Sequence, residues 1–192
     1  MRRGPGTPSG TARRIRFVAR GALLLGGLLL APVTARAQGA DDARADMLFN
    51  LARFVDWPYD APGASLPTLT ITILGEDDFA GTLAMTLSSK SLNGRRVFVR
   101  FVRRVQDIKD SPIVFVAASE QKSVPEVIEM LRDRSILTVS DVAGFSAAGG
   151  IVDFTQEGDK IRLEINQGSA VRARLKISAK LLAVAKIVAQ GP

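Results

Sequence analysis

The sequence predicts an α/β domain of three layers, in which helices flank a mixed, partly parallel sheet. β-rich apolar runs alternate with helix-like segments through the middle of the chain, the order typical of parallel sheets. Two further β-rich runs flank Glu157-Gly158-Asp159, a pattern typical of a β-hairpin. An apolar stripe then recurs at helical spacing near the end of the chain. We therefore expect a C-terminal hairpin and a C-terminal helix to close the sheet.

The N-terminus has the composition of an export signal. Basic residues precede an apolar stretch from Gly21 to Val33, and Ala35-Arg36-Ala37 forms an A-x-A cleavage pattern. The apolar stretch is shorter than the roughly 20 residues of a membrane span. The sequence therefore predicts a signal peptide over residues 1–37, cleaved after Ala37, and one exported domain over residues 38–192.

Removal of this segment changes the charge of the protein. Residues 1–37 contain seven of the 26 basic residues and none of the 19 acidic residues. The remaining chain has 19 of each and a net charge near zero. Nucleic-acid binding is not expected, because it requires a basic domain with clustered charge.

The chain contains no cysteine and no histidine. This excludes disulfides, Cys/His zinc sites and a Ser–His–Asp triad. We expect no cofactor, no bound metal and no catalytic activity. A hydrolase that uses Glu76, Asp78 or Asp141 stays an alternative, although no paired geometry is visible in the sequence.

Helix signals follow a small polar leader over residues 38–46. We predict helices from about Ala43 to Val55 and from Asp78 to Leu87. A third helix opens at SVPEVIEMLRD, with Ser123 as its N-cap and Glu126 as the capping-box partner. The last begins near Ser169, and its apolar stripe comprises Leu175, Leu181, Leu182, Ala185 and Val188.

Strands are predicted between these helices. The runs are LTITILG (69–75), RRVFVRFV (95–102), SPIVFVAAS (111–119), SILTVSD (135–141), GGIVDFTQ (149–156) and KIRLEIN (160–166).

The segment SDVAGFSAAGG, residues 140–150, has the glycine spacing of a phosphate-binding loop. Gly144 and Gly149 keep that spacing, but Gly150 and Ile151 replace the lysine and hydroxyl residue, and a strand follows instead of a helix. We therefore interpret the glycines as features of a tight connection. Ser140 and Asp141 are expected to satisfy backbone groups there, and Phe145 either plugs the sheet edge or is offered to a partner.

Trp57 is the only tryptophan and stands close to the only tyrosine, Tyr59. Its ring either packs over a core edge or serves as a binding anchor. Five basic residues near the C-terminus form a face that is either solvated or in contact with anionic lipid or an acidic partner: Arg172, Arg174, Lys176, Lys180 and Lys186.

Five segments in this order carry a resemblance to a known family. They are FNLARFVDWP, ITILGEDDF, SLNGRRVFVRFV, ILTVSDVAGFSAAGGIVDF and IRLEINQGSAVRARLKISAKLLAVAKIV. Together they cover residues from about Asp46 to Val188, and the chain resembles the YfiR-like family of periplasmic proteins.

The resemblance implies a repressor of an inner-membrane diguanylate cyclase. Such a protein binds the cyclase's periplasmic sensor domain, has no enzymatic activity, and lowers cyclic-di-GMP and biofilm formation. It also implies a tendency to form homodimers. Well-known members carry cysteines that support redox control, so redox-gated release is not expected here.

A small-ligand binding protein, with a pocket near residues 140–150, is the alternative to the regulatory function. The candidate residues for binding a partner or a ligand are Trp57, Ser140, Asp141, Gly144, Phe145, Gly149 and Gly150.

Overall fold

The structure is a computed structural model that describes residues 33–76, 78–158 and 160–189, with side chains from residue 41 onward. The predicted signal peptide lies outside the described residues up to residue 32. Its last five residues belong to the first helix, which also includes the predicted cleavage point between Ala37 and Gln38. The prediction of a loose leader over residues 38–46 is therefore wrong, since these residues are helical.

Five α-helices are described. They are α1 (Val33–Ala52), α2 (Asp78–Ser88), α3 (Val124–Leu131), α4 (Gln167–Arg172) and α5 (Ala179–Leu182).

Ten strands are described. They are β1 (Val55–Asp56), β2 (Thr68–Leu74), β3 (Ser91–Leu92), β4 (Arg95–Val102), β5 (Ile113–Val116), β6 (Leu137–Ser140), β7 (Val152–Glu157), β8 (Lys160–Asn166), β9 (Lys176–Ile177) and β10 (Lys186–Val188).

The main sheet has eight strands in the order β10-β8-β7-β6-β5-β2-β4-β3. The central strands from β7 to β4 are parallel to their neighbours, whereas β8 pairs antiparallel with β7 and β3 pairs antiparallel with β4. The hairpin between β7 and β8 confirms the prediction around Gly158. The predicted class, an α/β fold with a mixed and partly parallel sheet flanked by helices, is confirmed.

Both faces of the sheet are covered, which explains the nearly continuous apolar and β-branched strands. On one face, Leu69, Ile71 and Ile73 of β2 join a core that includes buried residues of α1 and α2. On the other face, Val114 and Val116 of β5 join a second core with α3.

The third helix lacks the predicted capping box. Ser123 has helical backbone angles and makes no side-chain cap; its hydroxyl donates to Glu120 at 2.8 Å. The Glu126 carboxylate accepts from Gln106 at 2.6 Å instead of bonding back to the helix start.

The predicted C-terminal helix is also wrong as a continuous element. The segment is divided among α4, β9, α5 and β10. Arg174 adopts a φ of 58°, which ends the helical path after α4. Strand β9 pairs with β1, and β10 pairs with β8 at the edge of the main sheet. The basic residues of this region consequently do not share one helical face.

Candidate functional site

Two regions contain the predicted site residues, and they lie at opposite ends of the strands. Residues 140–150 follow the C-terminal end of β6, whereas Trp57 lies near the N-terminal ends of β2 and β4. The structure therefore brings the six candidates of residues 140–150 together and separates them from Trp57.

Ser140 holds the beginning of the loop. Its hydroxyl donates to the Val116 carbonyl of β5 at 2.8 Å and accepts from the Val142 backbone N–H at 3.0 Å. The side chain is fully buried. Ser140 thus satisfies backbone groups, as predicted, and leaves no exposed hydroxyl for a ligand.

A buried carboxylate that the sequence analysis missed lies beneath this loop. Asp153 of β7 accepts a hydrogen bond from the Gly144 backbone N–H through Oδ2 at 3.0 Å. Burial, with a smaller contribution from the charge of nearby Glu164, raises its pKa from 3.8 to about 6, against the opposing effect of the Gly144 hydrogen bond. Asp153 and Gly144 are nine residues apart in the sequence, so no local pattern predicts the hydrogen bond between them.

Two glycines of the loop adopt positive φ angles. These are 78° at Gly144 and 116° at Gly149, a region that favours glycine. Gly150 is restricted differently, because a Cβ atom there would collide with the Phe145 ring.

Phe145 is only 1% exposed and packs in the second core with α3. Phe145 was predicted either to plug the sheet edge or to be offered to a partner; its ring is instead buried in the second core and offers no surface to a partner. The Asn166 amide also donates to the Ser146 carbonyl at 2.8 Å. The loop is therefore a packed structural element.

The pocket that includes Gly149 has a volume of about 10 Å³. This is about the space that one water molecule requires. A larger groove, with a volume of about 510 Å³, lies at the opposite end of the strands. We call it the Trp57 groove; its lining includes Arg53, Asp56, Trp57, Tyr59, Leu92, Asn93, Arg95 and Pro112.

The only tryptophan and the only tyrosine of the chain, Trp57 and Tyr59, both line the Trp57 groove. The Trp57 indole N–H donates to the Pro112 carbonyl at 3.2 Å, and the half-buried ring packs against the core. Tyr59 is 95% exposed. The groove thus combines a fixed aromatic ring with an aromatic side chain that its own fold leaves in solvent.

Arginine side chains give the groove a positive character. Arg95 donates to the carbonyls of Gly63 at 2.7 Å and Thr68 at 2.6 Å, neither of which carries a charge. Arg53 forms no ion pair among the side chains that the structure describes.

A second exposed feature lies at the edge of the main sheet. The short strand β3 pairs with β4 only at Arg95 and Arg96, and the Val97 N–H donates to the Lys90 carbonyl at 3.0 Å just before β3. The outer side of β4 otherwise has no strand partner at residues 97–102 within the described chain. Phe98 is 56% exposed and Phe101 is 45% exposed on this strand. We call this feature, residues 97–102 with both phenylalanines, the β4 edge.

The acids considered for hydrolysis do not converge. Glu76 forms an exposed ion pair with Arg103 at 3.1 Å, Asp78 occupies the first turn of α2, and Asp141 follows β6. Within the described residues, no group of three or more acidic side chains is placed to hold a metal ion.

A family model described as DUF4154, YfiR/HmsC-like, matches residues 41–186. The chain belongs to the YfiR/HmsC-like family. This match includes both the Trp57 groove and the β4 edge, together with the loop at residues 140–150. No curated protein matches the chain significantly.

Membership of the YfiR/HmsC-like family indicates a regulatory rather than a catalytic protein and suggests a periplasmic regulator of diguanylate cyclases. Among the helices that the structure describes, none combines the length and apolarity needed to cross a bilayer.

Proposed function

We propose that this protein is an exported, non-enzymatic regulator that binds the periplasmic sensor domain of an inner-membrane diguanylate cyclase. Binding holds the cyclase inactive and lowers cyclic-di-GMP and biofilm formation. The family match over residues 41–186 is the observation that carries this proposal. The N-terminal export pattern and the lack of cysteine and histidine agree with it.

Repression requires a difference in affinity between two states of the sensor. A regulator that bound the active and inactive conformations equally would change nothing, however tightly it bound. The protein must therefore contact a surface that the sensor presents only in its inactive state.

The β4 edge is the docking surface that we assign to the sensor. Its unpaired backbone groups can pair with an additional strand from the partner. Phe98 and Phe101 supply exposed apolar side chains on the two faces of β4. Exposed aromatic side chains are frequent energetic anchors of protein interfaces.

The charges of this edge favour an acidic strand over a second copy of the chain. Arg96 and Arg100 lie on the same face of β4 as Phe98. Antiparallel self-pairing would place these arginines opposite one another, which is unfavourable, whereas an acidic sensor segment would pair with them. A homodimer of this protein would accordingly use another face.

Affinity purification from membranes tests the function directly. The tagged protein should co-purify a membrane diguanylate cyclase, identified by mass spectrometry, and deletion of its gene should raise cyclic-di-GMP. Unchanged cyclic-di-GMP together with no recovered cyclase would reject the proposed function.

A paired substitution tests the docking surface separately. Phe98→Ser with Phe101→Ser should weaken sensor binding by at least about thirtyfold, the effect of losing one interface anchor. Val171→Ser removes a similarly exposed apolar side chain from α4 and serves as the control. Equal binding by both variants would exclude the β4 edge while leaving the function intact.

A further inference from the structure

We propose that the Trp57 groove binds a small planar anion, an aromatic ring that carries one carboxylate or phosphate ester group. The ring would contact Trp57 and Tyr59, and the anionic group would contact Arg53 and Arg95. This inference concerns a different surface from the β4 edge and does not depend on the identity of any protein partner.

The dimensions of the groove suit a ligand of this size. Its volume of about 510 Å³ falls within the roughly 300–1,000 Å³ typical of small-molecule sites. The pocket beside Gly149, at the opposite end of the strands, is about 10 Å³ and cannot hold such a ligand.

The wall of the groove is held in place before any ligand arrives. Arg95 ties the loop to the start of β2 through the carbonyls of Gly63 and Thr68. Gly63 has a φ of 72° and packs so closely on the Asp110 backbone that a Cβ atom there would collide with it. A preorganised wall lowers the entropic cost of binding.

The aromatic lining favours a flat ligand. Trp57 is fixed by its hydrogen bond to Pro112 and presents a largely apolar ring to the groove. Tyr59 is 95% exposed, so it can close over a bound ring at little cost to the packing of the protein. Stacked and edge-to-face aromatic pairs contribute beyond the area that they bury.

The charged residues that line the groove favour an anionic ligand. Arg53 and Arg95 are both cationic, and Asp56 is the single acid of the lining. The Arg95 guanidinium bonds only uncharged carbonyls, and its Nε is buried without a hydrogen-bond partner among the described residues. The excess is one positive charge, which an anionic group offsets and an uncharged ring does not.

Trp57 reports on this groove, because it is the only tryptophan in the chain. Its emission is measured while the purified protein is titrated with benzoate or with phenyl phosphate, which separate the carboxylate and phosphate chemistries. Acetate supplies the anion without a ring, and benzyl alcohol supplies the ring without a charge. Calorimetric titrations with the same compounds detect binding that leaves the emission unchanged.

We expect saturable binding of benzoate or phenyl phosphate, and at least about tenfold weaker binding of acetate and benzyl alcohol. Arg53→Gln and Arg95→Lys should each weaken the aromatic anion severalfold. Arg96→Gln is the matched control, because it removes the same charge one residue along β4 but from the opposite face of the sheet.

Two results would overturn the proposal. One is the absence of saturable binding by either aromatic anion up to about 10 mM in both assays. The other is equal weakening by Arg53→Gln and Arg96→Gln. Thermal melting checks that each variant is folded, and Arg53→Gln alone decides the outcome if Arg95→Lys does not fold, since Arg53 is exposed. No partner protein is present, so failure here leaves the regulatory function untouched.

Discussion

A Cβ atom on Gly150 would collide with the ring of Phe145, five residues earlier in the same loop. The Phe145 ring is buried in the second core. The close approach of ring and backbone therefore explains the glycine at this position, and it identifies the loop as a structural element that packs against itself.

Gly150→Ala should destabilise the protein by about 1–3 kcal/mol, the usual cost of forcing an extra methyl group into a packed core. Gly81→Ala is the control, since Gly81 lies in α2 with nothing within 4 Å of an added Cβ atom. That substitution should stabilise the protein by about 0.5–1 kcal/mol, because alanine is the better helix residue. Urea denaturation measures both, and effects of the same sign would contradict this account.

Two fully buried serines of the same loop should respond oppositely to alanine. Ser140→Ala should cost about 1–3 kcal/mol, because it leaves the Val142 N–H and the Val116 carbonyl without the hydroxyl that bonds both. The Ser146 hydroxyl has no hydrogen-bond partner among the described residues, so Ser146→Ala should be neutral or stabilising. Denaturant midpoints of the two variants compare them, and equal losses of stability would be inconsistent with these contacts.

The stability of the protein should depend on pH through Asp153. Its pKa is raised to about 6 in the folded state from an ordinary value of 3.8, so folding favours the protonated carboxyl. The stabilisation is complete below about pH 3.8 and is lost as pH rises through about 6, by at most about 3 kcal/mol.

Asp153→Asn isolates this effect, because the amide oxygen can still accept from Gly144 and does not ionise. The free energy of unfolding of the wild-type protein, relative to this variant, should fall between about pH 4 and pH 7. Chemical denaturation at several pH values measures the difference. A constant difference across this range would show that Asp153 does not titrate there.

The strands of the central sheet were predictable because their signal is local. Strand β2 is buried on both faces, and β4 was predicted with its observed bounds from the composition of RRVFVRFV. The C-terminal helix was not predictable from periodicity. Residues of this segment pair with other strands instead, as Ile177 does with Val55 and Val188 does with Asn166. Long-range pairing of this kind overrides a helical pattern.

The candidate site was predictable only in part. Trp57 stood out because it is unique in the chain, and Ser140 because it follows a strand and precedes a glycine-rich turn. The groove around Trp57 draws Arg53, Leu92 and Arg95 from separate segments, and only the fold brings these together. The β4 edge could not be predicted from the sequence either, because the strand order decides which strand lies near the edge of the sheet.

Arg96 should protect the β4 edge from self-association. Arg96 precedes Phe98 by two residues in β4, so the two side chains lie on the same face of the sheet. Charged side chains at sheet edges oppose pairing between identical molecules. Arg96→Val would extend the exposed apolar stripe and remove the repulsion. We expect this variant to form concentration-dependent oligomers, which sedimentation velocity experiments measure. Lys122→Val also replaces an exposed cationic side chain with valine, in a 3₁₀ helix away from the edge, and should leave the sedimentation profile of the wild-type protein unchanged. Self-association of both variants would reflect surface apolarity in general, whereas association of the Arg96 variant alone would identify the edge as the pairing surface.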